Sequence, residues 1–328
     1  MLLPDSVPAK SKRSAPKKRP PVLDAPKPLD LEVLAAMLDQ HPDFKVLRRL
    51  KPELNFPAAP AGEVVRILVL DTETTGLEHS QDKIIELALL QVDVDLATGL
   101  PVGVVSVYDE LEDPGVPISK EIEAITGISS AMVAGHRLDE ARIARLLEGV
   151  DLVIAHNAAF DRPFCEARIP AFARLPWGCS FADIDWKKEG QSSAKLEYLA
   201  LGKGWFYDAH RAEVDCHALL AVLGQPLPTS LMTGLAKILA ASQRPSYRLQ
   251  ATNAPFEAKD LLKARAYRWN AEQRVWQTRL ASEADLAAEY VWLKAFVYSG
   301  RAARVQVEKL TAMEKYSSRA GELSMVQI

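Results

Sequence analysis

Cysteine is scarce in this 328-residue chain, and long apolar runs are missing. Its three cysteines, Cys165, Cys179 and Cys216, are odd in number, widely spaced and without a CxxC pair, so we expect reduced thiols. No apolar run approaches the roughly 20 residues that span a bilayer. The N-terminal MLLPDSVPAK places Pro and Asp where a signal peptide needs an apolar core. These absences predict a cytoplasmic protein without a membrane partner.

Charge is distributed unevenly along the chain. Residues 1–28 hold 7 basic and 2 acidic side chains, and residues 241–328 hold 14 and 9, out of 40 and 43 in total. The stretch between them, 29–240, therefore has a net charge of −13. An acidic centre between basic ends suits a metal-loaded site flanked by segments that bind a polyanion. A solvated surface with uneven charge explains the same numbers.

Composition and periodicity divide the chain into five segments. Residues 1–28 are rich in Pro, Lys and Ser and lack apolar periodicity, which predicts a disordered basic tail. The other segments are a helical lead-in at 29–63, a main domain at 64–241, a small α+β module at 245–299 and a C-terminal tail at 300–328.

The main domain is predicted to have an α/β fold in which helices flank a mixed sheet. Its expected strands lie at 65–70, 83–94, 102–108 and 151–155. Its expected helices lie at 118–148, 157–168, 192–201, 210–223 and 231–241. Strands come first, and strand and helix then alternate, which is typical of a mixed sheet. In the module we expect a strand in YRLQAT, a helix in FEAKDLLKARA, a hairpin in YRWNAEQRVWQTRL and a closing helix at 284–297.

Two acids end the apolar strand in ILVLDTETTG. Asp71 and Glu73 are two residues apart, so their side chains share one face of the strand. That geometry suits chelation of a hard cation, although the same pattern also fits a solvated strand end.

Two later segments bring further acids. AHNAAFD follows the strand DLVIA, with Asn157 at a helix N-cap and Asp161 about one turn further on. HRAEVDCHALL places Asp215 on an apolar helix and His210 five residues earlier, at or before the helix start. Taken separately, each segment also fits a purely structural role. His156 fits a hydrogen-bonded loop histidine equally well, and His217 is expected to be structural.

Together, the three segments supply four carboxylates beside buried elements. Oxygen-only ligation favours Mg²⁺ or Mn²⁺ over Zn²⁺. Four crowded acids repel one another unless cations join them, and two divalent ions are what phosphodiester chemistry uses.

DTETTG, AHNAAFD and HRAEVD, in that order, resemble the three motifs of the DEDDh family of DnaQ-like exonucleases. The resemblance covers about residues 64–225 and implies a ribonuclease H-like fold, 3′–5′ exonuclease activity and two Mg²⁺ or Mn²⁺ ions. It assigns Asp71, Glu73, Asp161 and Asp215 as metal ligands and His210 as the general base. The implied product is a nucleoside 5′-monophosphate.

The resemblance also suggests substrate contacts. Glu121 and Thr126, in PISKEIEAITGI, match positions that touch the terminal nucleotide, although some relatives carry His in place of Thr126. The other substrate-binding candidates are Thr72, Thr74, Asn157 and Phe160, and for Phe160 a core position fits equally well.

The module around AKDLLKARAYRWNAEQRVWQTRL weakly resembles small domains found beside nucleic-acid enzymes. Its candidate nucleic-acid contacts are Arg265, Arg268, Trp269, Arg274 and Trp276, with Tyr267 and Arg279 interleaved among them. Alternatively, the tryptophans form the core of this domain and the arginines its solvated face.

Substrate and partners remain open at this level. Single-stranded DNA or a DNA 3′ end is favoured, and RNA is the alternative because nothing in the sequence addresses the 2′-hydroxyl. A DNA polymerase or repair partner fits the resemblance. A rival of a different class is a nucleic-acid-binding or scaffold protein that is inactive by itself, although the intact acids and His210 argue against it.

Overall fold

The computed structural model describes residues 30–328, so the basic tail predicted at 1–28 lies outside the described residues. The chain forms two compact units, one ending at Val46 and one running from Leu47 to Ile328. In the first unit, α1 (Leu31–Asp39) begins after Asp30, whose carboxylate accepts a hydrogen bond from the backbone N–H of Glu32 at 3.0 Å. The predicted lead-in at 29–63 is therefore not one element, since it divides between the two units.

Residues 47–242 hold eight strands and seven α-helices. The strands are β1 (Arg48–Arg49), β2 (Asn55–Phe56), β3 (Val64–Thr74), β4 (Ile84–Asp95), β5 (Leu100–Leu111), β6 (Leu152–Ala155), β7 (Trp177–Cys179) and β8 (Trp205–Phe206). The helices are α2 (Lys120–Thr126), α3 (Ser130–Val133), α4 (Glu140–Leu147), α5 (Ala158–Arg168), α6 (Leu196–Gly202), α7 (Ala212–Leu223) and α8 (Gly234–Ser242).

Six of these strands form a mixed sheet in the order β2-β5-β4-β3-β6-β7. β3, β4 and β5 pair antiparallel, whereas β3, β6 and β7 pair parallel, as a ribonuclease H-like fold requires. Strand β3 is apolar on both faces: Ile67 and Val69 pack in the core layer that contains α7, and Leu68 and Leu70 pack in the layer that contains α5. The predicted mixed sheet between helices is confirmed.

Strand β3 runs further than the sequence predicted. It continues past Leu70 through both acids, because pairing with β4 persists through Asp71 opposite Ala88 and Glu73 opposite Glu86. The parallel neighbour β6 ends where Ala155 pairs with Leu70. The AHNAAFD segment therefore begins beside the first acid.

The rest of the second unit is a five-stranded antiparallel sheet covered by helices. Its elements are β9 (Ser246–Ala251), α9 (Lys259–Ala264), β10 (Arg268–Asn270), β11 (Val275–Leu280), α10 (Glu283–Trp292), β12 (Arg304–Leu310) and β13 (Glu322–Gln327). The strand order is β10-β11-β9-β12-β13. Tyr247, Leu249, Leu262 and Leu286 belong to its core.

The prediction that residues 300–328 form a C-terminal tail is wrong. β12 pairs with the central strand β9, and β13 pairs with β12, so these residues complete the sheet of the module. The buried, alternating Val305 and Val307 show why: they cover the same core as Leu249. The three cysteines are free and buried, as expected. None of the helices described between residues 30 and 328 is long and apolar enough to cross a membrane.

Candidate metal centre and nuclease site

Three carboxylates converge at the end of β3. Asp71 and Glu73 come from the strand, and Asp215 comes from the first turn of α7. One oxygen from each of the three lies within 4.8 Å of the others, which is close enough for all to hold one metal ion. The period-2 alternation of β3 gives Asp71 and Glu73 the face of Ile67 and Val69, and α7 lies against that face.

Asp161 stands apart from this group of three. Its side chain is 2% exposed, and its Oδ1 accepts a hydrogen bond from the hydroxyl of Thr72 at 2.9 Å. It is close enough that its charge helps to raise the pKa of Asp71. The structure thus brings three of the four predicted ligands to one point and leaves the fourth beside them, held by Thr72.

Burial and mutual repulsion disfavour the charged forms of the acids at this site. Burial, followed by repulsion from Asp161 and Asp215, raises the pKa of Asp71 well above its usual range. Burial and the charge of Asp215 raise the pKa of Glu73 to about 8. Burial also raises the pKa of Asp161 to about 7. Because the donors are all carboxylate oxygens, the residues fit Mg²⁺ or Mn²⁺, which would relieve this repulsion.

His210 lies in a short loop that is bonded to Asp215. The backbone N–H groups of His210 and Arg211 donate to Asp215 Oδ2 at 2.8 and 3.2 Å, and Tyr207 donates its hydroxyl to Oδ1 at 3.2 Å. His210 has a φ of 66°, a left-handed conformation that ends the loop before α7 starts. His210 is exposed, and it lies before the start of α7, as the sequence predicted.

Sequence reasoning missed the ion pair that holds this loop. Glu86 on β4 is 0% exposed, and its Oε1 accepts hydrogen bonds from Arg211 Nε at 2.9 Å and Arg211 Nη2 at 2.7 Å. Its other oxygen accepts the backbone N–H of Ala212 at 2.9 Å, so it also caps α7. A lone acid within the apolar run KIIELALL was the available signal, because a buried charge requires a partner.

We expect Glu86→Gln to lower the free energy of unfolding by roughly 2–3 kcal/mol, because charged hydrogen bonds to Arg211 and to the start of α7 are lost. Urea unfolding of the metal-free protein measures this change. Asp93→Asn is the matched control, since its pair with Arg66 is half-exposed and should cost less than about 1 kcal/mol. Equal losses in the two variants would contradict the anchoring role of Glu86.

The candidate threonines have their hydroxyls engaged inside the protein. Thr72 donates to Asp161, and Thr74 donates to the carbonyl of Gly76 at 2.6 Å. The Thr126 hydroxyl donates to the Ile122 carbonyl at 3.0 Å and accepts from the backbone N–H of Ile128 at 3.1 Å. Thr126 is buried, so its role here is to close the end of α2.

Three other candidates have more open surroundings. Glu121 and Asn157 are exposed. Asn157 stands at the N-cap position of α5, but its φ is 71° and its side chain forms no capping hydrogen bond, contrary to expectation. Phe160 is half-buried, with its ring 5.1 Å from that of Phe164, so it packs against the core, and its contact with a nucleotide stays a prediction.

The two other histidines near these motifs are structural. His156 Nδ1 lies 2.7 Å from the Ser180 hydroxyl, and burial lowers its pKa to about 4. His217 is buried on α7, 3.6 Å from Glu213.

The candidate contacts in the module divide into engaged and exposed residues. Tyr267 is 1% exposed and belongs to the core, and Trp276 packs partly against it. Arg265 donates to Glu289 at 2.9 Å and lies over the ring of Trp292. Trp269 is 51% exposed, with its ring 5.5 Å from that of Trp276. The remaining exposed candidates are Arg268 and Arg274.

Comparison with known proteins relates the region of this site to exonucleases. The exonuclease family model RNase_T matches residues 68–223, which include all five residues of the predicted site. The DNA polymerase III subunit epsilon of Treponema pallidum is 29% identical over 168 residues, covering 48% of this chain and 74% of that protein. The PolC-type DNA polymerase III of Thermotoga maritima is 30% identical over 140 residues, covering 42% of this chain and 9% of that protein.

A solved structure of exonuclease X in complex with 5′ overhanging duplex DNA is 25% identical, with a TM-score of 0.37, and covers 52% of this chain and 99% of that one. This chain spans less than a tenth of the length of the PolC-type polymerases that it matches.

The mixed sheet and the acidic cluster on β3 and α7 are those expected of an exonuclease domain with a ribonuclease H-like fold. Residues 68–223 match the RNase_T exonuclease family model, and the chain is similar to DnaQ-like subunits of DNA polymerase III. The resemblance drawn from the three sequence motifs is confirmed.

Proposed function

We propose that this protein is a metal-dependent 3′–5′ exonuclease that removes nucleoside 5′-monophosphates from DNA ends. The observation that carries this proposal is the convergence of Asp71, Glu73 and Asp215 within 4.8 Å of one another. Burial, with repulsion between the acids at Asp71 and Glu73, raises the pKa values of all three carboxyl groups, which supports the proposal because a divalent cation would favour their charged forms. The match to a DNA polymerase III subunit favours DNA as the substrate.

In this proposal, each residue of the site has a separate task. Asp71, Glu73 and Asp215 hold one Mg²⁺ or Mn²⁺ ion, and Asp161 serves a second. Such ions, when bound, stabilise charge on the attacking and leaving oxygens. His210 takes the proton from the attacking water. The hydrogen bonds that Tyr207, His210 and Arg211 give to Asp215 keep that carboxylate in place.

Digestion of a 5′-labelled single-stranded DNA tests the proposal, with an RNA of the same sequence run alongside. The reactions contain Mg²⁺, Mn²⁺ or a chelator, and Asp71→Asn serves as the inactive control. We expect a ladder that shortens from the 3′ end, requires metal and is stronger on DNA. A 3′-labelled strand separates the two directions, since it should release labelled mononucleotide at once.

Other outcomes would assign other functions. A faster ladder on RNA would make the protein an RNA exonuclease. No ladder on either strand, from folded protein with both metals, would overturn the free-standing enzyme. It would leave a nucleic-acid-binding role, or one in which a partner such as a DNA polymerase activates the domain.

We further propose that the module at 246–327 holds the nucleic acid beside the nuclease domain. The exposed Arg268 and Arg274 suit phosphate contacts, and the exposed ring of Trp269 suits base stacking. Arg265 and Trp276 contribute less in this arrangement, because Glu289 and the core of the module engage them. In the same digestion assay, Trp269→Ala should raise KM and leave kcat unchanged.

A further inference from the structure

Arg162 is a buried arginine next in sequence to Asp161. Its side chain is 0% exposed, and all its donors have partners. Nε donates to Glu166 at 2.6 Å, one turn further along α5. The other four N–H groups meet four backbone carbonyls, those of Ala312, Met313, Lys315 and Leu175, at 3.1, 2.6, 2.6 and 3.5 Å. An arginine has five N–H donors, so this set is complete.

Three of those carbonyls belong to the connector between β12 and β13, residues 311–321. This connector leaves the sheet of the C-terminal module and lies on the nuclease domain. The Ala312 carbonyl also accepts the backbone N–H of Trp177 at 2.8 Å, which covers the edge of β7. Arg319 returns from the connector to α5, where its Nη1 lies 2.6 Å from Glu166 Oε2.

Further bonds hold the connector on its other side. Lys315 Nζ donates to the carbonyls of Ala241 and Arg244 at 3.1 and 2.9 Å. The hydroxyl of Tyr316 donates to Asp183 Oδ1 at 2.6 Å. The connector is therefore fixed independently of α5, and it can act as a rigid support for that helix.

Apolar packing alone does not fix the position of α5 along its axis. Phe164 and Cys165 bury one face of the helix, but such packing is non-directional. The fork of hydrogen bonds from Arg162 is directional, and it acts one residue from Asp161. Thr72 can bond the Asp161 carboxylate only if the helix keeps this position.

We propose that Arg162 is a positioning residue and that the connector is the support through which it acts. By bonding the connector carbonyls, Arg162 holds α5 so that the Asp161 carboxylate stays beside Asp71. The C-terminal module is then a structural part of the nuclease site, apart from any contact that it makes with nucleic acid. The link to metal binding rests on the proposed function, whereas the link to the position of α5 does not.

The test compares two variants of this contact with a control in the adjoining strand β12. Arg162→Lys keeps the charge but has too few donors for five acceptors, and Arg319→Ala removes the second link from the connector to α5, at Glu166, which Arg162 also bonds. Lys309→Ala is the control, because it removes an exposed ion pair with Glu322 inside the module rather than a bond to the nuclease domain. Amide hydrogen exchange across 158–168 and the Kd for Mn²⁺ alone are measured on folded, full-length protein.

We expect Arg162→Lys to speed exchange in 158–168 and to weaken Mn²⁺ binding about tenfold, as loss of an outer-shell support typically does. Arg319→Ala should shift both in the same direction by less, and Lys309→Ala should leave both unchanged. If exchange in α5 is no faster in Arg162→Lys than in Lys309→Ala, the positioning role is overturned. If the wild-type protein binds no Mn²⁺, the proposed function fails while the exchange data still decide this inference.

Discussion

Replacing Asp71 by Asn is expected to abolish nuclease activity and, at the same time, to raise the stability of the metal-free protein. Activity should fall by at least about three orders of magnitude, because the neutral amide of asparagine cannot replace the charged carboxylate of Asp71 as a metal ligand. Stability should rise because burial and the charges of Asp161, Asp215 and Glu73 all oppose the charged form of Asp71. Asparagine keeps the size of the side chain and removes that charge.

The pH dependence of stability gives this prediction a sign. The pKa of Asp71 is higher in the folded protein than the value of about 3.9 expected when unfolded, so the folded state binds more protons. Stability of the metal-free protein should therefore fall as the pH rises above about 4. The raised pKa of Glu73, about 8, extends the fall through neutral pH.

Thermal unfolding between pH 5 and 8 in chelator measures the effect. In chelator, Asp71→Asn should have a higher Tm than the wild type, and its Tm should decline less steeply as the pH rises. Added Mn²⁺ should reduce the pH dependence of Tm in the wild type but not in Asp71→Asn. Asp208→Asn is the control, because this acid is exposed and pairs with Arg49 at the surface. A lower Tm for Asp71→Asn in chelator would show that the acids are compensated within the protein.

Local sequence patterns predicted the mixed sheet of the nuclease domain and the elements on which its acids lie. The alternation in β3 predicted that Asp71 and Glu73 share one face. The apolar strand DLVIA predicted where the segment with Asp161 begins, and this strand does pair with β3. His210 was expected outside α7, and its φ of 66° agrees. Each of these inferences needed only residues that are neighbours in the chain.

Contacts between distant residues explain what the sequence left out. The hydrogen bond from Thr72 to Asp161 joins β3 to α5, and the hydrogen bond from Arg211 to Glu86 spans 125 positions. The bonds from Arg162 to the connector span about 150 positions. The strand Arg304–Leu310 was predicted as a tail for a different reason. Its alternation of apolar and polar residues is visible in the sequence, but its pairing partner β9 lies more than fifty residues earlier. Pairing partners at such distances leave no mark in one sequence.

Replacing His210 by Asn is expected to lower kcat by a factor of about 10² to 10⁴ while leaving the fold and metal binding intact. General-base catalysis is typically worth that much, and asparagine has no group that takes a proton near neutral pH. The fold should tolerate the change because the side chain is exposed and asparagine accepts a left-handed backbone. The hydrogen bond to Asp215 comes from the backbone N–H, which the variant keeps.

Steady-state digestion of labelled DNA separates this role from a structural one. Loss of the base should lower kcat with little change in KM, in Kd for Mn²⁺ or in Tm, whereas displacement of Asp215 would weaken Mn²⁺ binding as well. His136→Asn, at another exposed histidine, is the control and should retain full activity. If His210→Asn keeps activity within about threefold of the wild type, a group other than His210 activates the water. In that case, the conformation of this loop would serve only to hold Asp215 at the metal site.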